Sequence, residues 1–143
     1  MAYDFQVTFD CADPHALADW WADALGWQVE PSKEDFIRDL IDQGHASVDD
    51  TTHHNGVLVW RSGAAINHPD GLTRAPRILF QLVPEGKTVK NRVHLDVRVG
   101  ADKVAEVAER LKARGATYLH DGRQGPNTWV TLADPEGNEL CLT

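Results

Sequence analysis

The chain has little sulfur, no excess of positive charge and no long apolar run. Its two cysteines, Cys11 and Cys141, sit in no CxxC or zinc-finger spacing, which excludes a disulfide framework and a sequence-encoded zinc finger. Both are expected to be packed thiols. Lys and Arg total 14 against 22 Asp and Glu, a net charge of −8 that repels a phosphate backbone, and no basic run opposes it. Nucleic acid is therefore not an expected partner. No apolar stretch approaches the roughly 20 residues of a membrane span. The start, "MAYDFQVTFD", shows neither a basic n-region nor an apolar h-region. A cytoplasmic protein with no membrane partner is expected. No linker or low-complexity tract divides the 143 residues, which suffice for one domain with a real core.

What is present is patterned. In "YDFQVTFDC", residues 3–11, Val7, Phe9 and Cys11 alternate with Gln6, Thr8 and Asp10, the signature of a strand with one apolar face. "DPHALADWWADALGW" follows. Asp13 is a good N-cap, Pro14 suits the first helical position, and Gly26 suits the residue just past the end. Leu17, Trp20, Trp21, Ala24 and Leu25 form one stripe, so 14–25 is expected to be an amphipathic helix on a sheet. The two adjacent tryptophans cannot both face one core fully. An exposed one is readily used at an interface, and a homodimer is expected.

The pattern recurs. "NRVHLDVRV", residues 91–99, sets His94, Asp96 and Arg98 against Val93, Leu95, Val97 and Val99. After it, Val104, Val107, Ala108 and Leu111 form a helical stripe that stops at Gly115, with Asp102 standing where Asp13 stands before Gly26. Gln6 falls in register with His94. The unit strand–helix–Gly–strand thus reads as an internal repeat. Each copy is followed by strands, "GVLVW" and "RILFQLVPE" in the first and "TWVTLADPEGNELCLT" in the second, where Pro-Glu-Gly-Asn marks a hairpin turn. Between the copies, about 31–77 reads as an insertion. "SKEDFIRDLIDQG" offers Ser32 and Asp35 as a capping-box-like start and a stripe of Phe36, Ile37, Leu40 and Ile41. Residues 46–56 and 62–76 read as loops, with His53 and His54 in solvent.

The opening strand–Asp–helix–"LGW", the central "FQLVPEGKTVKNRVHLDVRV" and above all the closing "WVTLADPEGNELCLT" resemble the vicinal oxygen chelate superfamily, and more closely its glyoxalase-like, bleomycin-resistance-type members. The resemblance implies an α+β fold of two βαβββ modules forming a curved mixed sheet, module 1 at about 1–91 and module 2 at about 92–143. It also implies a cup between the modules. Metal-using members draw four ligands from four strands. By resemblance these positions fall on Gln6, Gln81, His94 and Cys141, the last where the family usually has Glu.

Two amides, one imidazole and one thiol make a poor site for a divalent ion, because only the thiol can become an anion. No cofactor is therefore expected, with a divalent metal as the alternative. Trp129 and Thr131 are expected to face the cup while Val130 and Leu132 face the helices. Gln6, Thr8, Asp10, Gln81, Arg98, Trp129 and Thr131 then stand as ligand-binding candidates, with His94 and Asp96 as an acid–base pair. The expected function is binding of a small polar or aromatic molecule. The alternative is a metal-dependent lyase or isomerase of glyoxalase type, or less favourably a dioxygenase. A purely structural or interaction module is a third reading.

Overall fold

In the computed structural model, which describes all 143 residues, the first strand is β1 Val7–Cys11, shorter than the 3–11 expected. Tyr3 and Phe5 before it are exposed. The apolar face of β1 is held by aromatic packing: the Phe9 ring stands edge-on to Trp21 at 5.2 Å and to Phe80 at 5.4 Å. Helix α1, Pro14–Leu25, has the bounds its caps imply. The Asp13 carboxylate accepts the Ala16 N–H at 3.1 Å, and Gly26 closes the helix at φ 69, a left-handed conformation open to glycine at little cost.

Trp20 and Trp21 correct an expectation. Both are buried, at 5% and 0% exposure, with their rings edge to face at 5.3 Å. Adjacent helix positions diverge by about 100°, yet the two indoles share one interior by crossing instead of stacking. Neither is left over for an interface, so the reason given for a dimer falls away.

After α1 come β2 Gln28–Val29, α2 Glu34–Asp42, a 3-10 turn at Val48–Asp50, β3 Thr51–His54, β4 Val57–Trp60, β5 Gly63–Asn67 and β6 Ile78–Leu82. Next are β7 Leu95–Val97, α3 Val104–Ala113, β8 Thr117–Gln124, β9 Asn127–Ala133 and β10 Glu139–Leu142. No helix is long and apolar enough to cross a membrane.

The chain divides into two compact units, Met1–Gly86 and Lys87–Thr143. In the first, the sheet order is β1-β6-β5-β2, with β1 parallel to β6 and the other pairs antiparallel. In the second it is β7-β10-β9-β8, again with the first strand parallel to the last. Each unit is therefore a βαβββ module with the same strand order, and the architecture is α+β. The cores follow from the alternation: Ile66, Ile78 and Phe80 are buried in the first unit, and Leu111, Leu132, Leu140 and Leu142 in the second.

Several local readings give way. Residues 46–56 and 62–76 are not simply loops. β3 pairs with β4 through a turn at Asn55-Gly56, both with positive φ (52 and 78), the backbone that a tight two-residue hairpin needs. β5 completes the first sheet, although Gly-Ala-Ala is a weak strand signal. α2 begins without the Ser32–Asp35 capping box. Ser32 Oγ instead donates to the Leu58 carbonyl at 2.5 Å, while Glu34 Oε1 accepts the Leu58 N–H at 2.8 Å. The edge of β4 outcompetes the helix end for both side chains. Of the α2 stripe only Ile37 is buried, and Phe36 is 56% exposed. In α3 the residue before the helix is Lys103, without a side-chain cap, and Asp102 does not take the role of Asp13.

The closing hairpin shows why "DPEGN" has its composition. Buried Asp134 accepts the Glu136 and Asn138 N–H groups on Oδ1, both at 2.9 Å, and the Asn138 side-chain amide on Oδ2 at 2.9 Å. Gly137 supplies φ 92 within that turn. Asn91 in turn donates its side-chain amide to Asn138 Oδ1 at 2.8 Å, tying the approach to β7 to the turn.

Candidate functional site

Strand register builds the site of the second unit. Parallel pairing sets Cys141 of β10 beside Asp96 of β7, and antiparallel pairing sets it beside Thr131 of β9. Paired residues on neighbouring strands share a face, so these three look the same way, with His94 two residues before Asp96. Leu95, Leu132 and Leu140 take the opposite face. The His94 Nε2 lies 3.2 Å from Asp96 Oδ1, and Cys141 Sγ lies 3.4 Å from Thr131 Oγ1. With Trp129 they line a cavity of 310 Å³. The expected face of the "NRVHLDVRV" strand is thus the cavity face for His94 and Asp96. Arg98, just beyond β7, does not line the cavity, and Val93 lies outside the strand and is exposed.

Five residues lining the cavity were missed in the sequence, Lys90, His120, Gln124, Glu139 and Thr143, and the strands account for how two of them, His120 and Glu139, come to be there. His120 lies on β8, where the register shifts between Tyr118 and His120. Tyr118 pairs with Leu132 and His120 with Thr131, so the extra residue Leu119 puts His120 on the cavity side, where unbroken alternation from Tyr118 would have put it on the helix side. Nothing in a strictly alternating pattern signals such a bulge. Glu139, one residue before Leu140, is 9% exposed and receives Lys87 Nζ at 3.0 Å and the Asn91 N–H at 3.2 Å. Burial would raise its pKa, but the Lys87 hydrogen bond, backbone N–H groups and the Lys87 charge together hold it below the ordinary carboxylate value. It is therefore a fixed anion at the cavity wall.

The remaining candidates belong to the first unit. Thr8 pairs with Leu79, and Asp10 with Gln81. Gln6, just before β1, accepts Arg77 Nη1 on its Oε1 at 3.2 Å, and Arg77 is itself forked onto Glu30 at 2.8 and 2.9 Å. That fork, opposed in part by burial, holds the Glu30 carboxyl below its usual value. Gln81 stands level with Asp10, four residues on from Gln6, or about 13 Å along the strand. Cys141 stands beside the residue two on from His94. The corresponding place beside Thr8, two on from Gln6, is held by Leu79. The structure therefore does not bring Gln6 and Gln81 together, and the four-residue ligand set carried over by resemblance does not fit one ion. His94, Asp96 and Cys141 do converge, their ligand atoms all within 4.8 Å of one another. Imidazole, carboxylate and thiol are donor types that suit a borderline-soft ion such as zinc. His54, expected in solvent, is half-buried and lies 2.6 Å from Asp19 Oδ2.

The solved structures similar to this chain include the fosfomycin resistance protein FosX from Mesorhizobium loti, at 9% identity over 99% of this chain and 90% of that one, with a TM-score of 0.64. A variant of FosX from Listeria monocytogenes, complexed with Mn(II) and 1S,2S-dihydroxypropylphosphonic acid, matches at 12% identity over 99% and 91%, with a TM-score of 0.65. A possible glyoxalase from Bacillus cereus matches at 12% identity over 96% and 95%, with a TM-score of 0.60. At these identities the likeness is one of fold. Comparison with curated proteins finds no match. A family profile described as a glyoxalase-like domain matches residues 6–143. The chain belongs to the glyoxalase-like domain family.

Proposed function

We propose that this protein binds a small polar or aromatic molecule in the 310 Å³ cavity of the Lys87–Thr143 unit, without dependence on a tightly held metal. One observation carries the reading: the His94–Asp96 pair, the Thr131 hydroxyl and the Trp129 indole line one cavity of ligand size. The indole offers a flat apolar wall, and the imidazole–carboxylate pair offers a polar edge able to give or take a proton. Thermal melts of wild type and His94→Ala, with a panel of small aromatic and dicarbonyl compounds, test it. His94 is partly exposed, so its removal should leave the melting temperature of the free protein nearly unchanged and erase the ligand-induced shifts. A variant that melts much earlier, with its ligand shifts intact, would return His94 to a structural role.

A second reading rests on the convergence of His94, Asp96 and Cys141. A divalent ion there would polarise ligand oxygens, as a lyase or isomerase of glyoxalase type requires. The FosX variant bound to Mn(II) lends this reading support from fold alone. Elemental analysis of protein purified without chelator separates the two. One tightly held zinc, nickel or iron per chain, lost in Cys141→Ser, would favour the enzyme.

A further inference from the structure

The Met1–Gly86 unit has a cavity of its own, 640 Å³ in volume, lined by α1, α2 and the β3–β4 hairpin and by residues of β2, β5 and β6 such as Val29, Ala65 and Leu79. Two histidines line it: His15 in the first turn of α1 and His54 at the end of β3. Their rings lie 5.3 Å apart and tilted by 30°. His15 Nε2 is 2.8 Å from the Trp60 carbonyl oxygen, and His54 Nε2 is 2.6 Å from Asp19 Oδ2. A carbonyl and a carboxylate oxygen can only accept, so in each ring Nε2 carries the hydrogen. In the neutral imidazole, Nδ1 is then a lone-pair acceptor. Neither Nδ1 has a protein partner, and no buried side-chain polar atom in the chain lacks one, so both Nδ1 atoms face accessible space. The same cavity is lined by apolar surface left uncovered: Phe36 is 56% exposed, Val29 40% and Val57 39%, and Val57 is the cross-strand partner of His54.

We propose that this cavity is a second binding site, for a compact apolar molecule bearing one acidic hydroxyl, of the phenol class. The hydroxyl donates to His54 Nδ1, and the ring covers Phe36 and Val57. The chemistry selects against other classes. An anion brings no donor to Nδ1 and meets the Asp19 carboxylate behind the ring. Two cations also line the cavity: Arg77 is forked onto Glu30, and the charge of Lys33 is likewise felt by Glu30. An ammonium would have to leave water against Phe36 and Val57. The site shares no lining residue with the cavity that carries the proposed function, and neither reading depends on the other.

Calorimetry with 4-ethylphenol and 4-ethylanisole tests this, since the two share shape and differ in the donor. The phenol should bind wild type at least about tenfold more tightly than the ether, the worth of one hydrogen bond in a water-poor site. His54→Phe keeps an aromatic ring in the cavity without an acceptor, and it should bring the two affinities together. Because that variant leaves Asp19 without its histidine and is exposed to misfolding, histidine-selective nitrogen NMR of the wild type gives an independent readout. The His54 Nδ1 resonance should move on titration with the phenol and stay in place with the ether. Equal affinity for both compounds, no binding of either, or a phenol titration that leaves His54 Nδ1 unmoved would overturn the proposal.

Discussion

The indole of Trp129 lies over Gly122, its cross-strand partner, in the space that any side chain at 122 would need. Gly122 is not in the left-handed region, so glycine is required there by the indole and not by the backbone. The pair resembles the covering of a strand glycine by an aromatic ring across the sheet, which fixes the ring as a wall.

Gly122→Ala should therefore displace Trp129 while leaving strand β8 free to form. The expected cost is about 1–3 kcal/mol, as for other overpacked sites. Ligand-induced thermal shifts assigned to the 310 Å³ cavity should weaken with it. Urea melts together with ligand melts check this. Wild-type stability and unchanged ligand shifts would show that the indole is free to move aside.

Glu139 predicts an acid-sensitive contribution to stability. Its folded pKa is depressed, so the contribution is fully present above the unfolded value and disappears as pH falls through the folded one. With an unfolded Glu near 4.3, the loss should begin at about pH 5 and continue below the reference value. Glu139→Gln should cost about 1–3 kcal/mol at neutral pH, because Lys87 and the Asn91 N–H lose an anionic partner. Denaturant melts of both proteins from neutral to acid pH should converge. A gap that stays constant across that range would assign the loss to packing.

Asp134→Ala should be among the costlier changes in the chain. It removes the carboxylate that accepts the Glu136 and Asn138 N–H groups and the Asn138 side-chain amide, for a loss upward of about 2 kcal/mol. Hydrogen exchange at Glu136 and Asn138 should accelerate before exchange in α3 does. Uniform acceleration across the second unit would mean that the turn is not a local clamp.

Glu34→Ala should loosen α2 from the β3–β4 hairpin by releasing the Leu58 N–H, at about 1 kcal/mol. Faster exchange at Leu58, with β1 and β6 unchanged, is the expected outcome. No change at Leu58 would mean that water replaces the carboxylate without penalty.

Some readings that rested on neighbouring residues hold in the structure, while others, such as the Ser32–Asp35 capping box, do not. Asp13, Pro14 and Gly26 bound α1 because caps and a left-handed stop act within a turn of the helix they limit. The turn before β10 was legible for the same reason, since Asp134 satisfies amides only two and four residues away. The shared face of His94 and Asp96 followed from the period of a strand. The family itself was visible in the closing segment, and the matched profile spans residues 6–143.

What the tertiary structure decided depends on partners far along the chain. The Ser32 capping box loses to Leu58, 26 residues away, whose unpaired backbone groups are set by the hairpin edge. Gln81 is separated from Gln6 because inter-strand register is a property of the packed sheet, and alternation alone leaves it free to slide by two. His120 reaches the cavity through a bulge, and one extra residue inverts every face beyond it. The acceptor character of the His15 and His54 Nδ1 atoms has the same origin, since Trp60 and Asp19 dictate the tautomers across 45 and 35 residues. Composition and local pattern determine which segments fold and which face is oily, because those energies lie within a few residues. Which polar groups meet is settled only when the elements pack, because a hydrogen bond depends on position to a fraction of an ångström that no local signal encodes.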